Sequence, residues 1–78
     1  MTVTGGRVDG NIQLSDGGDA HVRGVTVDGN LQAENNAGTQ VFENNRIDGN
    51  LECEGNNPAP TGGGNTVNGD KEDQCSAL

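Results

Sequence analysis

The sequence predicts an all-β fold, a short right-handed parallel β-helix of about four coils with roughly 19–20 residues in each. Three observations lead there. A six-residue unit recurs at near-constant spacing: Val8-Asp9-Gly10-Asn11-Ile12-Gln13, Val27-Asp28-Gly29-Asn30-Leu31-Gln32, Ile47-Asp48-Gly49-Asn50-Leu51-Glu52 and a degraded copy, Val67-Asn68-Gly69-Asp70-Lys71-Glu72. Its apolar residues alternate, which is the period of a strand. No window carries the i, i+3, i+4, i+7 pattern of a helix, because Gly or Asn interrupts throughout. One row of this kind cannot bury an apolar face alone. Stacked at the strand spacing of ~4.8 Å, the rows put Val8 on Val27 on Ile47 on Val67. The strict hexapeptides expected of a left-handed solenoid are missing, and irregular loops suit the right-handed kind.

Taken in order, each row reads as a short strand, a two-residue turn and a longer strand bent at its Gly. The short strand carries the column Val3, Val22, Phe42 and Gly62. Alternation breaks at Arg23-Gly24 and at Glu43-Asn44, and Gly and Asn tolerate the left-handed conformation of a tight turn. The longer strand carries Val8, Val27, Ile47 and Val67, then Ile12, Leu31, Leu51 and Lys71, then Leu14, Ala33, Cys53 and Asp73. Gly29 falls in an inward slot between Val27 and Leu31. Such a Gly marks either a bend with no room for a side chain or a backbone with positive φ. Variable loops at 15–19, 34–38 and 54–63 close the rows, and Gly62-Gly63-Gly64 reads as flexible loop. Lacking a following Lys-Ser/Thr and a helix, that Gly run is no phosphate loop.

Composition bounds the remainder. Seventy-eight residues make one domain, residues 1–78, with a thin core that buries roughly 60% of the unfolded surface. Twelve acidic residues against four Lys and Arg give a net charge of −8, which repels phosphate backbones and anionic lipid. Nucleic acid and membrane surfaces are therefore excluded as partners. No apolar run approaches the ~18 residues of a membrane span, and no signal peptide is visible.

The ends differ. In the fourth row Lys71 and Asp73 occupy inward columns, where buried charge is costly. Residues 71–78 are thus expected to peel away or to form a polar cap or tail, as a solenoid end requires. Met1-Thr2-Val3 opens partway through a row, with plain apolar Val3, Val8 and Ile12 behind it. An uncapped edge invites pairing, so the expectation is a homo-oligomer or a longer β-helix chain.

The Asn-Asn-x-Ile-x-Gly-Asn run from Asn44 to Asn50 resembles the coils of right-handed parallel β-helix proteins of the pectate-lyase-like superfamily. The tail, from Asn50-Leu51-Glu52-Cys53 through Asn57-Pro58-Ala59-Pro60 to Lys71-Glu72-Asp73-Gln74-Cys75, is similar to the C-terminal part of secreted bacterial β-helix proteins of uncharacterised role. The resemblance implies a secreted location, with any signal peptide ahead of Met1. Gly6-Arg7-Val8-Asp9-Gly10-Asn11-Ile12 also resembles bactofilins, which form cytoskeletal polymers. Their coils are shorter and lack the Asn pairs and the cysteine tail.

Candidate sites follow from the columns. Cys53 lies inward with Asp73 stacked on it, and Cys75 is two residues beyond. A bulge in the last row would bring the pair within the ~5.5–6 Å Cα separation of a disulfide. The alternative is an inert buried Cys53 and a free Cys75. Zinc needs more ligands than these two and His21 supply. Asp9, Asp28, Asp48 and Asn68 form an outward column of like charge, relieved by Arg7 and Arg46 or by a cation. Beside it run Asn11, Asn30 and Asn50, also read as outward, and then Gln13, Gln32 and Glu52. Asp16, Asp19, Asp28 and Asp48 are weak calcium candidates, because calcium wants six to eight converging oxygens. Asn45 and Asn65 are read as an inward ladder of stacked amides. His21 stands alone and outward, with no nucleophile or acid converging on it.

No cofactor and no enzyme activity are expected. Pectate-lyase-like enzymes work in a long groove lined by acidic and basic residues, which three Arg and one Lys on four coils cannot build. The function read from the sequence is a non-catalytic secreted β-helix module with a structural or self-assembly role, associating through its N-terminal edge. The alternative is a surface module binding polysaccharide or a divalent cation along the Asp/Asn/Gln face. A remnant of a polysaccharide-degrading enzyme comes last. Phe42 is read as inward, which removes the one aromatic platform for a sugar, and Arg7 and Arg46 interrupt the Thr26 and Thr66 column that ice binding would need.

Overall fold

Each coil gives one strand to each of three parallel sheets, so the chain winds as a β-solenoid of four turns. A computed structural model describes residues 2–78; Met1 lies outside the described residues. Coil 1 holds β1 (Thr2–Thr4), β2 (Arg7–Val8) and β3 (Ile12–Ser15). Coil 2 holds β4 (Ala20–Arg23), β5 (Thr26–Val27) and β6 (Leu31–Glu34). Coil 3 holds β7 (Gln40–Glu43), β8 (Arg46–Ile47) and β9 (Leu51–Glu54). Coil 4 holds β10 (Thr61–Gly63), β11 (Thr66–Val67) and β12 (Lys71–Asp73). The sheets run β1-β4-β7-β10, β2-β5-β8-β11 and β3-β6-β9-β12, and the described residues include no helix.

The register places like on like. Val3 faces Val22, Val22 faces Phe42, and Phe42 faces Gly62. Val8, Val27, Ile47 and Val67 stack in the second sheet, and Ile12, Leu31, Leu51 and Lys71 in the third. Val22, Val27, Leu31, Phe42, Ile47 and Leu51 are fully buried, whereas Val3, Val8, Ile12 and Val67 are half-buried. The inner two coils therefore make the core and the outer two close it. With so narrow an interior, burial on both sides of a strand's inward residue is available only in the middle of the stack.

Two features differ from the sequence reading. The bend at Asp28-Gly29-Asn30 is a corner between two sheets, and not a kink within one longer strand. Gly29 and Gly49 turn it without a positive φ; what they supply is space. A Cβ on Gly49 would collide with Oδ1 of Asn30 and lie 2.7 Å from the Gly29 carbonyl oxygen. The positive φ falls instead at the other two corners. Gly5, Gly24, Asn44 and Gly64 take it between the first and second sheets, and Asp16, Asn35, Gly55 and Asp73 after the third. Second, Thr61–Gly63 is strand β10 rather than flexible loop. Its glycines are drawn into pairing because Gly62 at φ +134° lets the backbone lie directly against that of Phe42. Of the two outcomes expected for the last row, Lys71–Asp73 takes the polar cap and does not peel away. It stays paired with Leu51–Cys53, all three side chains exposed.

Candidate functional site

The chemistry-bearing groups of this chain gather at the corners and at the two ends of the stack. At the corner after the first sheet, Asn45 is 2% exposed and uses its whole amide. Its Oδ1 accepts the Val25 N–H at 3.0 Å, and its Nδ2 donates to the Val22 carbonyl at 2.9 Å and to Oδ1 of Asn65 at 3.0 Å. Asn65 repeats the pattern one coil down, accepting from the Asn45 N–H and donating to the Phe42 carbonyl. These bonds satisfy backbone groups that the turn removes from the sheet ladder, which a buried corner requires.

Two further ladders carry the same logic. At the corner after the third sheet, Oδ1 of Asn36 accepts the Gly17 N–H, and Oδ1 of Asn56 accepts the Asn36 N–H. Their Nδ2 groups donate to the Leu14 and Ala33 carbonyls. At the Asp-Gly-Asn corner, Oδ1 of Asn11 accepts the Asn30 N–H, Oδ1 of Asn30 the Asn50 N–H, and Oδ1 of Asn50 the Asp70 N–H. Asn11, Asn30 and Asn50 thus keep to the outside of the coil, Asn11 exposed and the other two half-buried, but each amide is engaged by the backbone of the next coil. Their side chains fold back along the corner, because the adjacent Gly leaves room for the amide. Asn36 and Asn56 went unrecognised in the sequence, although each follows its left-handed residue as Asn45 and Asn65 do.

The C-terminal end receives these ladders. Oε1 of Gln74 accepts from the Asn56 N–H at 2.9 Å and from its Nδ2 at 3.1 Å, and Nε2 of Gln74 returns a bond to the Asn56 carbonyl. The Leu78 carbonyl accepts from Nδ2 of Asn65 at 3.2 Å. Between these two contacts, Cys75 is fully buried and joined to Cys53 in a disulfide with the Cα atoms 5.3 Å apart. Residues 74–78 therefore lie across the end of the core, pinned at three points. Closing 22 residues of chain constrains the unfolded ensemble by roughly 3 kcal/mol in the chain-entropy model. The double substitution Cys53→Ala, Cys75→Ala is expected to lower unfolding stability by at least that amount in urea titrations. An unchanged midpoint would show the disulfide to be dispensable.

Among the described residues, the outer edge of coil 1 has no such cover. Ile12 and Asp16 donate their N–H groups to the Asn30 and Glu34 carbonyls of coil 2. In a parallel ladder the bonding direction alternates along the strand, so Gln13 and Ser15 turn theirs to the open side. Beside that edge, Arg7 and Asp9 are both largely exposed and 3.5 Å apart.

The acidic face is already occupied by neighbours. The Arg7 guanidinium holds Asp28 at 2.6 Å, and that hydrogen bond is the main reason its pKa is raised. Asp48 accepts from Nδ2 of Asn68 at 3.1 Å, with Arg46 at 3.9 Å. Arg23 pairs with Glu43 at 2.9 Å, and Gln32 donates to Glu52 at 3.0 Å. Glu72 is stacked on Glu52, and its carboxyl is raised, first by desolvation and then by that neighbour's charge. A raised carboxyl contributes stability at low pH that is lost as pH rises through its value, so this pair loosens coil 4 toward neutrality.

The four calcium candidates separate into two places. Asp28 and Asp48 stand at the Asp-Gly-Asn corner, with Asp16 and Asp19 on the loop of coil 1, where Oδ1 of Asp19 accepts the Thr39 N–H at 2.7 Å. Among the described residues no group of three or more His, Cys, Asp or Glu converges as a metal site. His21 is exposed on β4. The same loop of coil 1 borders a cavity of about 220 Å³ lined in part by Gln40, Gly18 and Asp19. No described helix is long and apolar enough to cross a membrane. Comparison with known proteins finds no matching family model, no similar curated protein and no similar solved structure.

Proposed function

We propose that the chain is a non-catalytic, secreted β-helix module with a structural role, which pairs with a second copy through the open edge of coil 1. The contrast between the two ends carries this reading. The far end is covered by the disulfide, Gln74 and Leu78, whereas the near end offers unpaired strand edges over half-buried Val3, Val8, Ile12 and Leu14. An edge of this kind templates pairing with another strand. With one end covered, stacking head to tail has no second surface to use, so the contact is two-fold and closes at a dimer. Arg7 and Asp9 flank Val8, and a two-fold pairing centred there sets each guanidinium against the other copy's carboxylate. The disulfide fits an oxidising, extracellular setting. The alternative of polysaccharide or cation binding along the acidic face has less support, since Asp28 and Asp48 are already engaged by Arg7 and Asn68.

Gln13→Pro tests the pairing. Gln13 is exposed, and its N–H faces the open side, so proline deletes an edge donor without touching the coil beneath. Multi-angle light scattering is expected to give a dimer for the parent chain and a monomer for the variant, with unfolding stability held within about 0.5 kcal/mol. A strictly monomeric parent at high concentration would overturn the proposal, and so would open-ended polymers.

A further inference from the structure

We propose that the cup in the loop of coil 1 binds a primary ammonium group. The cup arises from the columns. Where coils 2 and 3 place Asn36 and Asn56, coil 1 has Gly17, and where coil 3 places Gln40, coil 2 has Ala20. Two small residues thus replace two amides, and a cavity of about 220 Å³ is left beside them. Gln40 lines it and is 1% exposed. Its Nε2 donates to the Gly18 carbonyl at 2.6 Å, but Oε1 meets no hydrogen-bond donor among the described residues. A buried acceptor left without a donor is costly, so a guest that brings one is favoured.

The surroundings decide which guest. Asp19 is among the lining residues, Asp16 precedes it on the same loop, and the chain carries a net charge of −8, so an anion is repelled. An ammonium offers three donors and no acceptor, which matches an amide oxygen that lacks a donor. Leu14 and Ala20 provide an apolar wall for the alkyl stem of such a group. A divalent metal is matched poorly, because Asp19 is the one carboxylate in the lining and calcium takes six to eight oxygens. The shared chemistry is an alkylammonium, supplied either by a free amine or by a lysine side chain. The proposal does not depend on dimerisation.

Amide-resolved NMR titration of the full chain tests it, with n-butylammonium as the probe and tetramethylammonium at matched ionic strength as the comparator. Saturable shifts are expected at the Gly17 and Gly18 backbone amides and the Gln40 side-chain amide for n-butylammonium alone. Gln40→Met, which removes the acceptor, is expected to weaken binding at least tenfold. Ala20→Leu, which enlarges the wall residue, is expected to abolish it and keeps the test valid if the first variant fails to fold. Binding of Nα-acetyl-lysine amide with similar strength supports the proposal and admits a protein lysine as the source. Its failure beside a positive n-butylammonium result supports a free amine. Equal response to tetramethylammonium would reduce the effect to screening of Asp16 and Asp19 and overturn the proposal. Tighter binding of calcium, or no saturable shift because the cup holds only water, would overturn it as well.

Discussion

Gly49→Ala is expected to destabilise the fold by more than about 3 kcal/mol, whereas Gly10→Ala in the same column leaves it unchanged or slightly more stable. The two differ only in what lies above them. A Cβ on Gly49 meets Oδ1 of Asn30, the Gly29 carbonyl oxygen at 2.7 Å and the Gly29 carbonyl carbon at 3.0 Å. The coils cannot separate there, because the Gly49 N–H bonds the Gly29 carbonyl at 2.9 Å and the Gly69 N–H bonds the Gly49 carbonyl at 2.9 Å. Nor can the Asn30 amide swing away freely, since its Oδ1 holds the Asn50 N–H at 2.7 Å. Overpacking costs about 1–3 kcal/mol, and freeing a buried donor adds about 1–3 kcal/mol. A Cβ on Gly10 meets nothing within 4 Å, and Gly10 has no positive φ. Ala there trims the unfolded ensemble, worth about 0.4–1 kcal/mol in favour of folding. Urea unfolding of both variants measures the difference. Equal effects would mean that Gly10 is also covered by a strand, or that the corner geometry is wrong.

That pair of outcomes bears on how far the sequence could be read. The repeat unit set the register because its apolar residues can meet an interior only when Val27 lies over Ile47 and Leu31 over Leu51; a slip of one residue would turn each outward. Periodicity carries less information about corners. Period two describes β5 and β6 equally well as one bent strand or as two strands in different sheets, since the count of residues through Asp28-Gly29-Asn30 preserves parity. Direction of the Asn side chains was illegible for a related reason. Parity places Asn30 outward, yet at a corner it does not say where the amide goes, and the amide follows the otherwise unpaired Asn50 N–H. Asn36 and Asn56 were hidden in loops of unequal length, where alignment by the repeat unit lost its hold. The pairing of a left-handed residue with a following Asn, at Asn35-Asn36 and Gly55-Asn56 as at Asn44-Asn45 and Gly64-Asn65, was the signal that could have found them. Gln40 and its cup had no sequence signal, because the open acceptor exists only through the contrast with Ala20 in the coil beside it.

Asn45→Leu is expected to destabilise the fold by about 2–6 kcal/mol, a large share of its total stability. Leucine has nearly the right size and no polar atom, so two backbone groups lose this partner, the Val25 N–H and the Val22 carbonyl, while Oδ1 of Asn65 keeps the Asn45 backbone N–H. Both belong to a buried corner that water cannot reach without opening the coil. At about 1–3 kcal/mol for each of these two groups, the loss is about 2–6 kcal/mol. A chain of 78 residues has about 4–12 kcal/mol of total stability, and this one has a narrow core to draw on. Asn45→Asp separates the hydrogen-bonding loss from a packing fault. The carboxylate keeps an acceptor for the Val25 N–H but loses the donor to Val22 and faces Oδ1 of Asn65. Burial raises the pKa of the introduced carboxyl, so its protonated form, which can donate again, is favoured in the folded state. Stability of this variant is therefore expected to be highest at low pH and to fall as pH rises through the raised value. Asn45→Leu has no group to titrate at this position and should show no such recovery. Thermal unfolding by circular dichroism at pH 4 and pH 8 checks both variants. A parent-like melting temperature for Asn45→Leu would mean that the corner finds its hydrogen bonds elsewhere and that the amide ladder is not what holds the coils in register.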